Sequence, residues 1–304
     1  DNFLGGQMTL DRVRAHLAVE THVAKKLDMD APAAAEGIVR IINVKMQEAI
    51  KAISTMRGHD LREFMLLAFG GAGPLHAGRI AADLGMAGVI VPPFPGVYSA
   101  MGLVMSDVKH DYIRSRLSPL ANVTESEINA VFDALARHAG EDLATEHFAE
   151  SQTRIEPALD MRYAGQGYEI TVPCDAVLKP GAIKALRQRF DLLHKESFGH
   201  TAPDEPVEIV SYRLRGIGLV PPVKIPKFAP TGTNLADALR ETRKAQFDGR
   251  LVDCPVYQRE KLDVGTAFIG PAVIDQLDCT TVLFPGHTAR VDAYRNIIMT
   301  VQEA

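Results

Sequence analysis

Apolar residues recur at three- and four-residue steps through Ile38, Ile41, Ile42, Met46, Ala49, Ile50 and Ile53, the spacing of one helical face. The pattern predicts a helix over Ala33–Met56 whose stripe faces a core, ending near Gly58. An earlier helix is predicted from a Thr9 or Asp11 cap to about Leu27, with Leu10, Val13, Leu17, Ala24 and Leu27 as its apolar positions. The segment FMLLAFG, residues 64–70, is apolar throughout and reads as a strand buried on both faces. A glycine turn follows, then a helix from about Pro74 to Leu84 and a second strand, GVIVP. Strand, helix and strand in that order mark an α/β sheet. The stretch PPFPGVYSAMGL cannot begin as helix, but one can start near Ser99.

Beyond Pro119 the texture changes. Thr124 and Glu127 have capping-box spacing and predict a helix to about Ala149. Two β-rich segments, TRIEPALDMRYA and GYEITVPC, are joined by Gly165, Gln166 and Gly167. A helix near Pro180–Glu196 precedes a long strand ending in EIVSYRLRGIGLV, and the proline-rich stretch Pro221–Asn234 reads as a linker. From about Lys244, short strands alternate with turns (PVYQRE, AFIGPAVIDQ, TTVLFPG, TARVDA, NIIMTV), the texture of a small all-β unit.

Composition narrows the classes. The 304 residues, 46% hydrophobic, are enough for one large core or two to three moderate ones. A net charge of −5 gives no general attraction to nucleic acid or anionic membrane. No window approaches the run of about eighteen apolar residues that a spanning helix needs. Cys174, Cys254 and Cys279 are far apart and odd in number, which argues against a disulfide framework or a cysteine zinc cluster and fits a reducing cytoplasm.

The candidate chemistry centres on FGGAGPLH, residues 69–76. Without a Cβ, Gly70, Gly71 and Gly73 let backbone N–H groups approach a ligand, and the following helix N-terminus favours an anion. The stretch has neither the lysine and hydroxyl of a P-loop nor a dinucleotide fingerprint, so a plain packing turn is the other reading. His76, in the first helical turn, either reaches a ligand on the glycines or caps the surface. In DMRYAGQGYE, strand alternation sets Asp160 and Arg162 on one face and Met161 and Tyr163 on the other. Arg162, Tyr163 and Gln166 are weak candidates for substrate binding beside Glu169, against a solvated hairpin face. Asp107 and Asp111 lie one turn apart if the preceding helix continues, with His110 and Arg114 between and after. They read as a metal pair or, more simply, as a polar helix face. His194 and His200 lack a second ligand at metal spacing and read as structural, and no metal site is assigned. No serine elbow occurs around Ser99.

Six blocks carry a family resemblance: FLGGQMTLD, the stretch from GIVRIINVKMQEAIKAISTM through FMLLAFGGAGPLHAGRIAADLGM, VIVPPFPGVYSAMGLVMSD, DMRYAGQGYEITVP, FGHTAPDEPVEIVSYRLRGIG and GPAVIDQLDCTTVLFPG. In this order they resemble the hydantoinase A/5-oxoprolinase family, which includes the ATP-binding subunits of N-methylhydantoinases and acetone-type carboxylases. Asp275 and Cys279 depart from the glutamate and serine common at these places, which leaves the subgroup open. The resemblance implies an α/β fold: the second lobe of an actin-like (ribonuclease H-like) ATPase, then an α+β region and a β-rich C-terminal unit. The expected divisions are 1–117, 118–220, a linker at 221–243, and 244–304. Gly70, Gly71, Gly73 and His76 match the second-lobe nucleotide turn. ATP and Mg are the implied cofactors, with the first phosphate loop and most metal ligands expected in an N-terminal lobe before Asp1. The implied reaction phosphorylates the oxygen of a cyclic amide, imide or ketone for ring-opening hydrolysis or carboxylation, completed by a hydantoinase B-type subunit or domain in a hetero-oligomer. Standing alone, the chain is then expected to be inactive. The competing expectation is a non-catalytic assembly module that binds a partner subunit.

Overall fold

In the computed structural model, residues 4–301 are described, and they group into two units. One contains the chain up to Val104 together with everything from Lys224 onward; the other is Met105–Val223. Phe3, which opens the first family-like block, lies outside the described residues.

The first unit begins with α1 (Arg12–Val19), capped by the Asp11 carboxylate on the Arg14 N–H at 2.9 Å. The helical path continues through a π-helical turn at Glu20–Ala24 into α2 (Lys25–Leu27). α3 (Ala31–Ile53) starts on an Asp30 cap and a first-turn proline. β1 (Met65–Leu67), α4 (Gly73–Asp83) and β2 (Gly88–Val91) form the expected strand–helix–strand unit, with β1 and β2 parallel. α5 (Tyr98–Val104) closes this part of the chain. After the linker come α8 (Leu235–Ala238) and strands β7 (Leu239–Phe247), β8 (Arg250–Gln258), β9 (Ala267–Ile269), β10 (Ala272–Asp275), β11 (Thr280–Leu283), β12 (Thr288–Val291) and β13 (Ile297–Thr300).

These C-terminal strands do not stand apart as the expected unit at 244–304. β13 pairs antiparallel with β2, giving a five-stranded sheet in the order β1-β2-β13-β12-β9. The remaining strands form a second sheet, β11-β10-β8-β7. One core joins Ala77 and Ala81 of α4 and Val89 of β2 to Ile274, Leu283, Ile297 and Met299 of the C-terminal strands.

Two burial expectations are overturned. On α3 the buried residues are Ala31, Ala34, Asn43 and Gln47, whereas Ile38, Ile42 and Ile53 are exposed and Ile41 is 63% exposed. Leu10, Val13, Leu17 and Leu27 are exposed as well, with only Ala24 of that set buried. β1 is the edge of its sheet, so Met65 and Leu67 are exposed instead of buried on both faces. Periodicity reports that a face is apolar; it carries no information on what covers it.

The second unit is an antiparallel sheet, β3-β6-β4-β5, made of β3 (Val108–Pro119), β4 (Thr153–Tyr163), β5 (Ile170–Pro173) and β6 (Val207–Gly218). Helices α6 (Glu125–Thr145) and α7 (Ala182–Phe198) share its core, where Ile128, Phe132 and Phe190 meet Leu159, Met161, Tyr212 and Leu214. The predicted capping box is present. The Thr124 N–H donates to Glu127 Oε2 at 2.8 Å and the Glu127 N–H donates to Thr124 Oγ1 at 3.3 Å. A register shift opposite Asp160/Met161 skips Val210 of β6. That irregularity changes parity, so Ile209 and Tyr212 both serve the core.

Candidate functional site

The glycine turn is built by its two flanking strands. After β1, the Ala68 N–H still donates to the Ile90 carbonyl at 2.8 Å, and Gly70 then takes φ 84°, a left-handed conformation that glycine adopts without steric cost. This bend redirects the chain from β1 into α4. The cap residue of α4, Ala72, offers no side-chain cap, and Pro74 has no N–H. Gly71 and Ala72 are exposed, and their amides meet no protein acceptor among the described residues. Two unpartnered donors at a helix N-terminus suit an anionic or strongly accepting ligand group.

The residues facing this turn come from distant parts of the chain. The Gly70 N–H donates to the Pro95 carbonyl at 2.7 Å, and the rings of Phe69 and Tyr98 lie 5.4 Å apart. The Asp278 carboxylate, from the turn between β10 and β11, accepts the Gly96 N–H at 2.8 Å. A Cβ at Gly71 would sit 3.4 Å from the Asp278 carbonyl oxygen. The parallel pairing of β1 with β2 brings Pro95, Gly96 and Tyr98 beside the turn, and the hairpin of β10 and β11 brings Asp278 there from a distant part of the chain.

His76 lies on α4, three residues beyond Gly73. Its Nδ1 is 2.7 Å from Asn43 Oδ1 on α3, which makes Nδ1 the protonated nitrogen of a neutral ring. Partial burial lowers its pKa, consistent with that neutral form. Only Nε2 is left for a ligand. A cavity of about 850 Å³ lies beside α3 and α4 in the same unit, lined by Asn43, Leu75, Arg79, Arg243 and Phe247 among others. Gly70, Gly71 and Gly73 do not line it.

The second set of sequence candidates belongs to the other unit, where most of its polar groups serve the fold. Arg162 Nε donates to Glu208 at 3.2 Å. Tyr163 is buried; its hydroxyl donates to Asp191 at 2.7 Å and accepts the Ala202 N–H at 2.9 Å. Gln166 keeps a buried Oε1 without a partner. His194 is buried beside Tyr163 and Phe190, with Nδ1 2.8 Å from the His200 carbonyl. The helical spacing considered for Asp107 and Asp111 does not arise, because α5 ends at Val104 and β3 begins at Val108. Asp107 instead accepts the Val220 N–H, Asp111 pairs with Arg215, and His110 contacts Glu146. Among the described residues no group of three or more His, Cys, Asp or Glu is placed to hold a metal ion.

Asp160 is 1% exposed and accepts hydrogen bonds from Ser211 at 2.5 Å, Thr171 at 2.7 Å and Arg213 at 2.5 Å. Burial pushes its pKa up, but the three hydrogen bonds and the guanidinium outweigh burial and hold the carboxyl below its ordinary range. A depressed folded-state pKa contributes stability that is present above the unfolded value of about 3.9 and fades as pH falls through the folded value. Unfolding measured from about pH 5 to about pH 2.5 is therefore expected to show a steeper acid-dependent loss than Asp160→Asn shows. Parallel pH profiles for the two proteins would contradict this.

The glycine turn, its uncapped helix and the antiparallel return of β13 define an α/β chain, and comparison with solved structures makes the class specific. The crystal structure of the ATP-dependent caprolactamase from Pseudomonas jessenii superposes with a TM-score of 0.80 at 27% identity, covering 99% of this chain and 44% of that one. A nucleotide-free structure of acetone carboxylase gives 0.79 at 26%, covering 98% and 44%. The fold is thus the α/β actin-like ATPase fold of these proteins. The Hydantoinase/oxoprolinase description matches residues 1–112, and the Hydantoinase/oxoprolinase C-terminal domain matches residues 120–302. The chain belongs to the hydantoinase/oxoprolinase family. An uncharacterised protein of Methanocaldococcus jannaschii is 32% identical over 295 residues, 95% of this chain and 41% of its own length. The chain therefore spans about two fifths of the length of these three relatives.

Proposed function

We propose that this chain is the second-lobe and C-terminal portion of an ATP-dependent enzyme subunit that acts on a cyclic amide, imide or ketone with a hydantoinase B-type partner. The observation that carries the reading is the exposed pair of unpartnered amides at Gly71 and Ala72. They stand at the head of an uncapped helix in a family whose solved members include an ATP-dependent caprolactamase. ATP, when bound, supplies the phosphoryl group that converts an unreactive carbonyl oxygen into a leaving group. The chain's own contribution is backbone N–H donors fixed in place before binding, the kind of preorganised dipole that stabilises charge without reorganisation. Among the described residues no cluster of three or more His, Cys, Asp or Glu is placed to hold a metal ion, so no metal step is assigned to them. Ring opening or carboxylation falls to the partner and to the remainder of the subunit.

The full-length subunit, expressed with its B-type partner, is expected to hydrolyse ATP faster when given a hydantoin, 5-oxoproline, a lactam or a simple ketone. A flat response to all four classes would reject the catalytic reading. The exposed apolar rows on α1 and α3, including Val13, Leu17, Ile38 and Ile41, favour a second reading as an assembly module. That reading expects stable association with the partner and no nucleotide binding by the full-length subunit.

A further inference from the structure

The connection from β2 to α5 contains Pro92, Pro93 and Pro95, so it presents carbonyl oxygens but few N–H groups. Pro92 and Pro95 are buried, and such carbonyls need donors from elsewhere in the molecule. The C-terminal strands supply most of them. Arg259, 7% exposed, directs Nη2 toward the Val91 and Pro92 carbonyls at 3.4 Å each and donates to the Arg295 carbonyl at 2.7 Å. Gln276 Nε2 donates to the Pro93 carbonyl at 3.1 Å and to Asp278 Oδ1 at 2.7 Å. Asp278 Oδ2 accepts the Gly96 N–H at 2.8 Å, and the Pro95 carbonyl accepts the Gly70 N–H at 2.7 Å. An unbroken series of contacts runs from the β10–β11 turn, through the proline loop, into the glycine turn.

Packing reinforces the series. A Cβ at Gly96 would fall 2.6 Å from Asp278 Oδ2 and 2.7 Å from its Cβ, so the carboxylate occupies the space that any other residue at 96 would fill. The Asp278 carbonyl is also the nearest atom to a Cβ built at Gly71. One residue thus contacts the proline loop and borders the glycine turn.

We propose that Asp278 is a positioning residue of the glycine turn, acting through Gly96 and Pro95 to hold the backbone that presents the Gly71 and Ala72 amides. The inference rests on the nucleotide reading above and extends it to the C-terminal strands: the hairpin of β10 and β11 is a working part of the nucleotide half-site. Gln276 and Arg259 act with Asp278 by fixing the loop between them.

The test uses the full-length subunit with its partner. Asp278→Ala removes both acceptors and, from the worth of hydrogen bonds to a charged group, is expected to weaken ATP binding about tenfold in calorimetry. Asp278→Asn keeps the shape and one acceptor and is expected to restore affinity to within about threefold of wild type. The change is expected in KM for ATP, with kcat for ATP hydrolysis held within about twofold. Gly96→Ala, which displaces the carboxylate without deleting it, is expected to act in the same direction and serves if the alanine variant folds poorly. Amide exchange at Gly70 is expected to accelerate in Asp278→Ala. Wild-type ATP affinity in both Asp278→Ala and Gly96→Ala, with unchanged exchange at Gly70, would overturn the proposal. A wild-type subunit that binds no ATP, with Gly70 exchange still accelerated in the variant, would remove the nucleotide reading and leave the positioning role standing.

Discussion

Gly71→Val in the full-length subunit is expected to reduce ATP affinity about a hundredfold, near 2.7 kcal/mol. The Cβ it adds lies 3.4 Å from the Asp278 carbonyl oxygen, the near edge of ordinary van der Waals contact. The two methyl groups beyond it add bulk beside the exposed amides at 71 and 72, and the loss of affinity is expected from that bulk. Because Gly71 does not require a positive φ, the substitution tests closeness of approach and not backbone strain. Gly140→Ala on α6 is the matched control, since a Cβ there meets nothing within 4 Å. Titration calorimetry measures both variants. A valine variant of native stability and unchanged affinity would take the turn out of the site.

Gly88→Val is expected to destabilise the first unit by about 3 kcal/mol, an overpacking cost at the upper end of the usual range. A Cβ at 88 would stand 2.4 Å from the Met299 carbonyl oxygen and 3.0 Å from Met65 Cε. The Met65 methyl can swing aside, but Met299 belongs to β13 and its carbonyl is backbone, so relief requires β13 to move away from β2. By the usual relation between stability and melting temperature, thermal unfolding should occur about 10 °C lower. An unshifted transition would mean that β13 does not pack against β2 in solution. This substitution therefore tests the joining of the C-terminal strands to the lobe, which places Asp278 beside the glycine turn.

Local features were legible wherever a few neighbouring residues settle the outcome. The Thr124–Glu127 capping box, the strand–helix–strand unit around the glycine turn and the hairpin connection at 165–167 follow from side-chain reach, glycine conformation and alternation. The parity change near Val210 was not legible, because an alternating pattern such as EIVSYRLR does not show where a bulge shifts it. The α3 stripe is apolar as its periodicity shows, yet it is largely exposed, since burial depends on a neighbour that periodicity does not contain.

The candidate site divides in the same way. Gly70, Gly71, Gly73 and His76 are legible because they are adjacent in the chain and chemically distinctive. Asn43, Gly96, Arg259, Gln276 and Asp278 carry no local signal of their role, although the prolines at 92, 93 and 95 mark a loop short of donors. Such a loop announces a need without naming its supplier.

By itself, then, the sequence determined the α/β class, the turn with its uncapped amides and the family, all of which rest on order along the chain. The tertiary structure alone decided that β9, β12 and β13 complete the sheet of β1 and β2, that His76 turns its Nδ1 to Asn43, and that Asp278 meets Gly96 beside Gly71. The physical reason is sequence distance. The hydrogen bond from Gly96 to Asp278 spans 182 residues, and contacts of that range are set by which sheet edges meet and which carbonyls need donors.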